Sequence, residues 1–309
     1  MTTQINRRKL FGLAGIGAGA MALSACGLSG ETAFGSGSTD GTITIGSADF
    51  TESQIIAEIY AAALKKRGFT VETHPAIGAR EAYIGAVREG TVGVVPDYTG
   101  NLLLFLDAET KAQTPEEILK ALPGALPEEL AALEPAPAEN KDSLVVTQQT
   151  ADKFGLKSIA DLAAHSSDVV LGAPPEFAER SYGLPGLKAK YGFEPKNFSP
   201  INDGGGPLTV QALVDDQVQV ADLFSTDPAI VKNKFVVLKD PKNNFLAQQV
   251  VPVVNGKQVS VAAAKVLNEV SALLTTEALI ELNTRVSGEE KANPSLAAGE
   301  WVEQNFPNE

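Results

Sequence analysis

Thr51, Arg80, the pair Tyr98-Thr99, Asp142 and the run Ser225-Thr226-Asp227 all stand where an apolar run gives way to a turn or a helix start. Open α/β sheets present their ligand groups from that position. The residue types suit holding a small charged molecule. Hydroxyls and a guanidinium bind an anionic end, while a carboxylate and an aromatic face bind a cationic one. Each position also has a plainer reading. Thr51 contacts a ligand or caps the helix that follows at Glu52. Tyr98 and Thr99 face a pocket or shape a turn. Arg80 clamps an anion or stands in solvent beside Glu81, and Asp142 serves a cation or is an exposed charge. Covalent chemistry has little to start from. The chain lacks a nucleophile elbow, a plausible Ser/Cys–His pairing and a metal-ligand cluster, so neither enzyme activity nor a cofactor or metal is expected. His74 and His165 lie far apart and read as structural or surface residues. Asp203-Gly204-Gly205-Gly206 resembles a phosphate loop but lacks the following Lys-Ser/Thr, so it reads as the approach to a helix at Pro207.

The elements that must position these residues alternate. Thr42–Ser47 is a β run, and Glu52–Arg67 is a helix with Ile55, Ile56, Ile59, Tyr60, Ala63 and Leu64 on one face. Strands at 69–74 and 92–96 follow, with helices at 82–89 and 99–106. Thr114-Pro115-Glu116-Glu117 and Ser158-Ile159-Ala160-Asp161 are helix-capping patterns. Strands at 143–147, 169–172, 198–201, 218–224 and 235–238, with a helix over 208–214, make a second α/β block. Val250–Val254 is a return strand, followed by helices at 262–274, 277–286 and 296–306. This rhythm predicts parallel or mixed sheets flanked by helices. Crossings near 144 and 250 predict two lobes on a two-stranded hinge, with Asp142 at the hinge and a cleft that closes on its ligand. The expected division is 42–144 for the first part of lobe one, 145–249 for lobe two and 250–309 for the return and C-terminal helices.

The N-terminus carries an address. Asn6-Arg7-Arg8-Lys9 precedes thirteen uncharged residues, Leu10 to Ala22, and Leu23-Ser24-Ala25-Cys26 closes the run. A basic start, a short apolar stretch and small residues before a cysteine read as a signal peptide over 1–25 with lipidation at Cys26. The apolar run falls short of the roughly 20 residues of a membrane span. Export by a twin-arginine or a general secretory route places the protein on the extracytoplasmic face of the cell membrane. Residues 26–41, rich in Gly and Ser, read as a flexible tether. Removing residues 1–25 takes away three basic side chains and leaves 22 Lys+Arg against 38 Asp+Glu, a charge of −16. Such acidity excludes nucleic acid as a partner through backbone contacts.

Several short segments in register carry a resemblance. They are Phe50-Thr51-Glu52, Pro96-Asp97-Tyr98-Thr99-Gly100, Gly186-Leu187 before Tyr191-Gly192, Phe224-Ser225-Thr226-Asp227 and Val251-Pro252-Val253-Val254. Over residues 42–306 the chain resembles the substrate-binding proteins of glycine betaine/choline/carnitine (osmoprotectant) ABC transporters. The resemblance implies a type II periplasmic-binding fold, a quaternary ammonium or related zwitterion as ligand and a membrane permease as partner. It also implies that Arg180 matches a family arginine, in contact with the ligand or paired with Asp203 or Glu176. Departures stand where the family has aromatic residues. Val95 precedes the Pro-acid-Tyr motif, Asp142 replaces an aromatic at the hinge, Gln248 replaces a tyrosine before the return strand, and Tyr182 is shifted by two. A four-tyrosine box is thus expected to be largely missing, leaving room for another polar zwitterion or amine. The lower-ranked readings are a sensory or scaffold module without transport and a lipoprotein enzyme.

Overall fold

The computed structural model describes residues 41–307. The expected signal peptide, Cys26 and the tether up to residue 40 lie outside the described residues.

The chain begins with β1 (Ile43–Gly46), α1 (Thr51–Lys66), β2 (Val71–His74), α2 (Arg80–Glu89), β3 (Val94–Tyr98), α3 (Thr99–Leu106), α4 (Pro115–Ala125) and β4 (Leu130–Ala132). A second set follows: β5 (Asp142–Val146), α5 (Gln148–Phe154), α6 (Ile159–Ala163), β6 (Val170–Ala173), α7 (Leu184–Tyr191), β7 (Asn197–Pro200), α8 (Pro207–Val214), β8 (Val220–Phe224), α9 (Pro228–Lys232) and β9 (Val236–Val237). The chain then returns through β10 (Val250–Asn255), α10 (Val261–Ser271), α11 (Thr276–Ser287) and α12 (Pro294–Asn305).

Two five-stranded sheets result, in the orders β2-β1-β3-β10-β4 and β7-β6-β8-β5-β9. Both are mixed. β1, β2 and β3 are parallel, whereas β10 runs antiparallel to β3 and β4. In the second sheet β6, β7 and β8 are parallel, and β5 runs against β8 and β9. Strands β3, β5 and β10 are buried along their whole length, which explains their mostly apolar sequence, broken only near their ends by Asp97, Asp142, Ser143 and Asn255. Each sheet is covered on both faces. The first carries α1, α10, α11 and α12 on one side and α2, α3 and α4 on the other. The second carries α6 and α7 on one side and α8 and α9 on the other. The groups around the two sheets are termed lobe one and lobe two below.

Local signals set most boundaries. The six apolar positions of α1 are all fully buried. Thr114 and Ser158 form complete capping boxes. Gly90 ends α2 in the left-handed conformation with φ 79°, where a Cβ would be strained. Four short elements lie outside the expected set: β4, α5, α7 and α9. Each is eight residues or fewer, too short to show a period of its own.

The lobes join through two paired segments. Asn140 N–H donates to Gln248 O (3.0 Å) and Val250 N–H to Ala138 O (3.1 Å). Antiparallel pairing brings Asp142 opposite Phe224 and Val250 opposite Tyr98. The first residues of β5 and β10 therefore share an edge with the last residues of β8 and β3. All four segments end at the junction between the sheets.

Candidate functional site

A cavity of about 70 Å³ lies at that junction, walled by the strand ends of both sheets. Lobe one contributes Phe50, Arg80, Tyr83, Tyr98 and Asn101, and lobe two contributes Glu176, Phe177, Arg180, Tyr182, Asp222 and Phe224. Asn140 and Asp142 reach it from the connecting segment.

Six of these side chains are aromatic, three tyrosines and three phenylalanines. Tyr98 stands in the Pro-acid-Tyr motif expected to supply a ring, and the three phenylalanines come from positions outside the expected tyrosine box. Phe50 follows β1 and lies 6.1 Å from Tyr98 and 5.0 Å from Phe224, centroid to centroid. Phe177 and Tyr182, set after β6, meet edge to face at 6.3 Å. Phe50 also rests on Gly204 of lobe two. That residue has φ 61°, and a Cβ on it would fall 2.7 Å from Phe50 Cβ, so only glycine permits this closure.

The charged groups are organised in pairs. Arg80 is buried, not in solvent. Its Nε and Nη2 donate to the Asp97 carboxylate at 2.8–3.2 Å. Burial alone would lower its pKa, but the facing Asp97 holds it well above the ordinary value. Arg180 pairs with neither Asp203 nor Glu176. It crosses the cleft to Glu81 on α2, with Nη1–Oε1 at 2.7 Å and Nη2–Oε2 at 2.8 Å, and its guanidinium lies 5.7 Å from the Phe105 ring. Partial burial opposes ionisation of Glu81, but its own backbone amide and Arg180 outweigh it and hold the carboxyl below the usual range.

Asp142 is buried rather than exposed and accepts a 2.8 Å bond from Asn101 Nδ2. Its neighbour is Asp222, near enough that each carboxyl bears on the ionisation of the other. Burial pushes both above the ordinary carboxylate range, Asp222 the further because Asp142 adds like charge. Two acids so placed cannot both ionise cheaply, so the pair shares a proton.

The remaining expected site residues stand behind the lining. Thr51 opens α1 but makes no capping bond and borders a separate open groove. Thr99 Oγ1 accepts from Gln249 N–H (3.2 Å), and Gln248 is held by a mutual pair of bonds with Asn101. Ser225 accepts from Lys141 N–H (3.1 Å). Thr226 donates to Glu52 Oε2 (2.5 Å). Glu52 is a buried node whose oxygens also accept from Tyr98, Asn140 and Asn283 at 2.6–2.7 Å. Of the ten expected contacts, Arg80, Tyr98, Asp142, Arg180 and Tyr182 line the cavity, and Thr51, Thr99, Ser225, Thr226 and Gln248 do not. Sequence reasoning passed over Phe50, Tyr83, Asn101, Asn140, Glu176, Phe177, Asp222 and Phe224. A usable signal existed for Asp222, an acid alternating with Val220 and Phe224 in an otherwise apolar strand.

Among the described residues no group of three or more His, Cys, Asp or Glu is placed to hold a metal. Nor is any helix there long and apolar enough to cross a membrane.

Comparison with known proteins fits this geometry. The family described as the substrate binding domain of the ABC-type glycine betaine transport system matches residues 41–304. A glycine betaine-binding protein of Escherichia coli, YehZ, is 28% identical over 261 residues, spanning 80% of this chain and 85% of the relative. The carnitine transport binding protein OpuCC of Listeria monocytogenes is 27% identical across 92% of each chain. Among solved structures, a glycine betaine/carnitine/choline ABC transporter protein aligns with a TM-score of 0.67 at 23% identity, covering 85% of this chain and 98% of the other. The two mixed sheets and their double crossing are the type II periplasmic-binding fold. The chain belongs to the substrate-binding domains of ABC-type glycine betaine transport systems.

Proposed function

We propose that this protein is the exported receptor of an ABC importer, lipid-anchored through Cys26 on the extracytoplasmic face of the cell membrane. It takes up a compatible solute such as glycine betaine, choline or carnitine and hands it to a permease. The observation that carries the reading is the aromatic, acid-lined cavity between two lobes. A quaternary ammonium has no N–H to donate and is held by ring faces, each contact worth about 0.5–2 kcal/mol. Closure joins Arg180 to Glu81 and Phe50 to Phe224, so a closed surface distinct from the open one is available for a permease to recognise.

Thermal unfolding of the purified protein with glycine betaine, choline, carnitine and ergothioneine tests the binding half. Ergothioneine is included because a Helicobacter pylori relative is described as an ergothioneine transport permease/binding protein. At 100 times its dissociation constant a ligand specific to the folded state adds about 2.7 kcal/mol. No shift with any member of the panel would sink the reading. The anchor is tested by Cys26→Ala, which should move the protein from the membrane fraction to the soluble one.

A further inference from the structure

Resting on the receptor reading above, we propose that the ligand is an organic cation carrying no carboxylate, recognised by the buried Asp142–Asp222 pair. Asp142 begins β5 and Asp222 lies in β8, two residues from the cross-strand partner of Asp142, so both point from one face into the cavity. They are 5% and 3% exposed. Oδ1 of Asp222 is buried and receives no amide, hydroxyl or guanidinium donor among the described residues. A buried acceptor without a donor is costly, and a ligand cation supplies the missing partner.

The cavity offers a carboxylate little in return. The charges of both lining arginines are matched by acids that stand outside the lining, Arg80 by Asp97 and Arg180 by Glu81, although Arg180 Nε itself has no acceptor among the described residues. The amides of Asn101 and Asn140 already donate to Asp142 and Glu52. Tyr98 donates to Glu52. Tyr182 keeps a neutral hydroxyl, suited to a neutral polar end of the ligand. With the arginines matched by Asp97 and Glu81, the lining retains Asp49, Asp142, Glu176 and Asp222 without a basic partner among the described residues. A zwitterion brings its own negative charge into that surface. A simple cation does not.

The pair also couples binding to protons. The groups facing it are Arg80 from α2, Asn101 from α3, and Glu176 and Tyr182 from the connection between β6 and α7. Arg80 favours ionisation of the pair and Glu176 opposes it. A bound cation stabilises the fully ionised pair, so the shared proton leaves as the ligand enters and affinity rises with pH.

Choline and glycine betaine share a trimethylammonium group and differ at the carboxylate, so they isolate the question. Calorimetric titration of the wild type with choline, ethanolamine, glycine betaine and carnitine, at pH 6 and 8 and in buffers of different ionisation heat, is the test. A carboxylate-free ligand should bind at least tenfold more tightly than either zwitterion, tighten severalfold from pH 6 to 8 and release up to one proton. Choline and ethanolamine distinguish a quaternary from a protonated amine. Asp222→Asn, nearly the same shape, should abolish the proton release and narrow the preference. A zwitterion binding as tightly as choline or better overturns this inference and leaves the receptor reading standing. Absence of binding by all four overturns this inference, and absence of binding by ergothioneine as well overturns the receptor reading. The wild-type comparison decides the matter even if the variant folds poorly.

Discussion

Phe50 shows what a single side chain contributes here. It touches Tyr98 in its own lobe, Phe224 and Gly204 in the other, and the cavity between. Phe50→Leu keeps an apolar group of similar reach and removes the ring face. The loss expected for a quaternary ammonium ligand is about 2- to 30-fold in affinity, from about 0.5–2 kcal/mol of cation–π attraction. Titration of the variant checks this, and unchanged affinity would remove Phe50 from the site. At this scale the sequence was only half legible. A strand end tells which residues stand near a cleft, but not which way each points. Thr51 and Thr99 stand beside Phe50 and Tyr98, yet the aromatic of each pair lines the cavity and the threonine turns away. Asp97 could not be matched to Arg80 from spacing, since their contact spans seventeen residues and a strand.

Between elements, two contacts join the lobes on different sides of the cavity. Glu52 ties α1, β3, α11, the connecting segment and the turn before α9 through four accepted bonds. On the other side Arg180 links the β6–α7 connection to α2 through Glu81, whose side chain is 58% exposed. An ion pair with one partner so exposed contributes little, about 0.5–1 kcal/mol. Arg180→Gln should therefore weaken ligand binding about 2- to 5-fold and enlarge the ligand-free molecule in small-angle scattering. Identical affinity and radius in low salt would show that the pair does not hold the cleft. Elements themselves were the most readable level. Periodicity and capping located the long helices, and apolar runs located the buried strands. The short β4 shows no period, and α5, α7 and α9 carry only terminal signals such as Thr147 and Gly155, Gly192, and Asp227 with Pro228, which mark an end without a length in which a helical period could show.

For the whole molecule, acidity is the governing property. The chain carries a formal charge of −13, and Asp142, Asp222 and Asp227 hold their protons more tightly than an exposed carboxyl would. Burial pushes Asp227 up to about 6, from an ordinary 3.8. An unfolded chain gives these protons up near the ordinary value. Below it both states are protonated and folding bears no penalty. As pH rises through the folded values the native state holds more protons than the unfolded one, and stability falls. The ligand-free protein should accordingly melt at a lower temperature at pH 8 than at pH 5. A melting temperature that climbs over this interval would contradict the assignment of buried, proton-holding acids.

The strand order of the first sheet has a consequence for how the chain comes together. β10 sits between β3 and β4, and β4 has β10 as its sheet neighbour. Every residue of lobe two lies between β4 and β10 in the chain. During synthesis β4 therefore waits without a partner while the whole of the second sheet, contiguous from β5 to β9, is completed. Lobe one closes last, and the contact that closes it is non-local, the kind that is slow to find. The return strand that makes a hinge possible also makes the first half of this protein the last to finish folding.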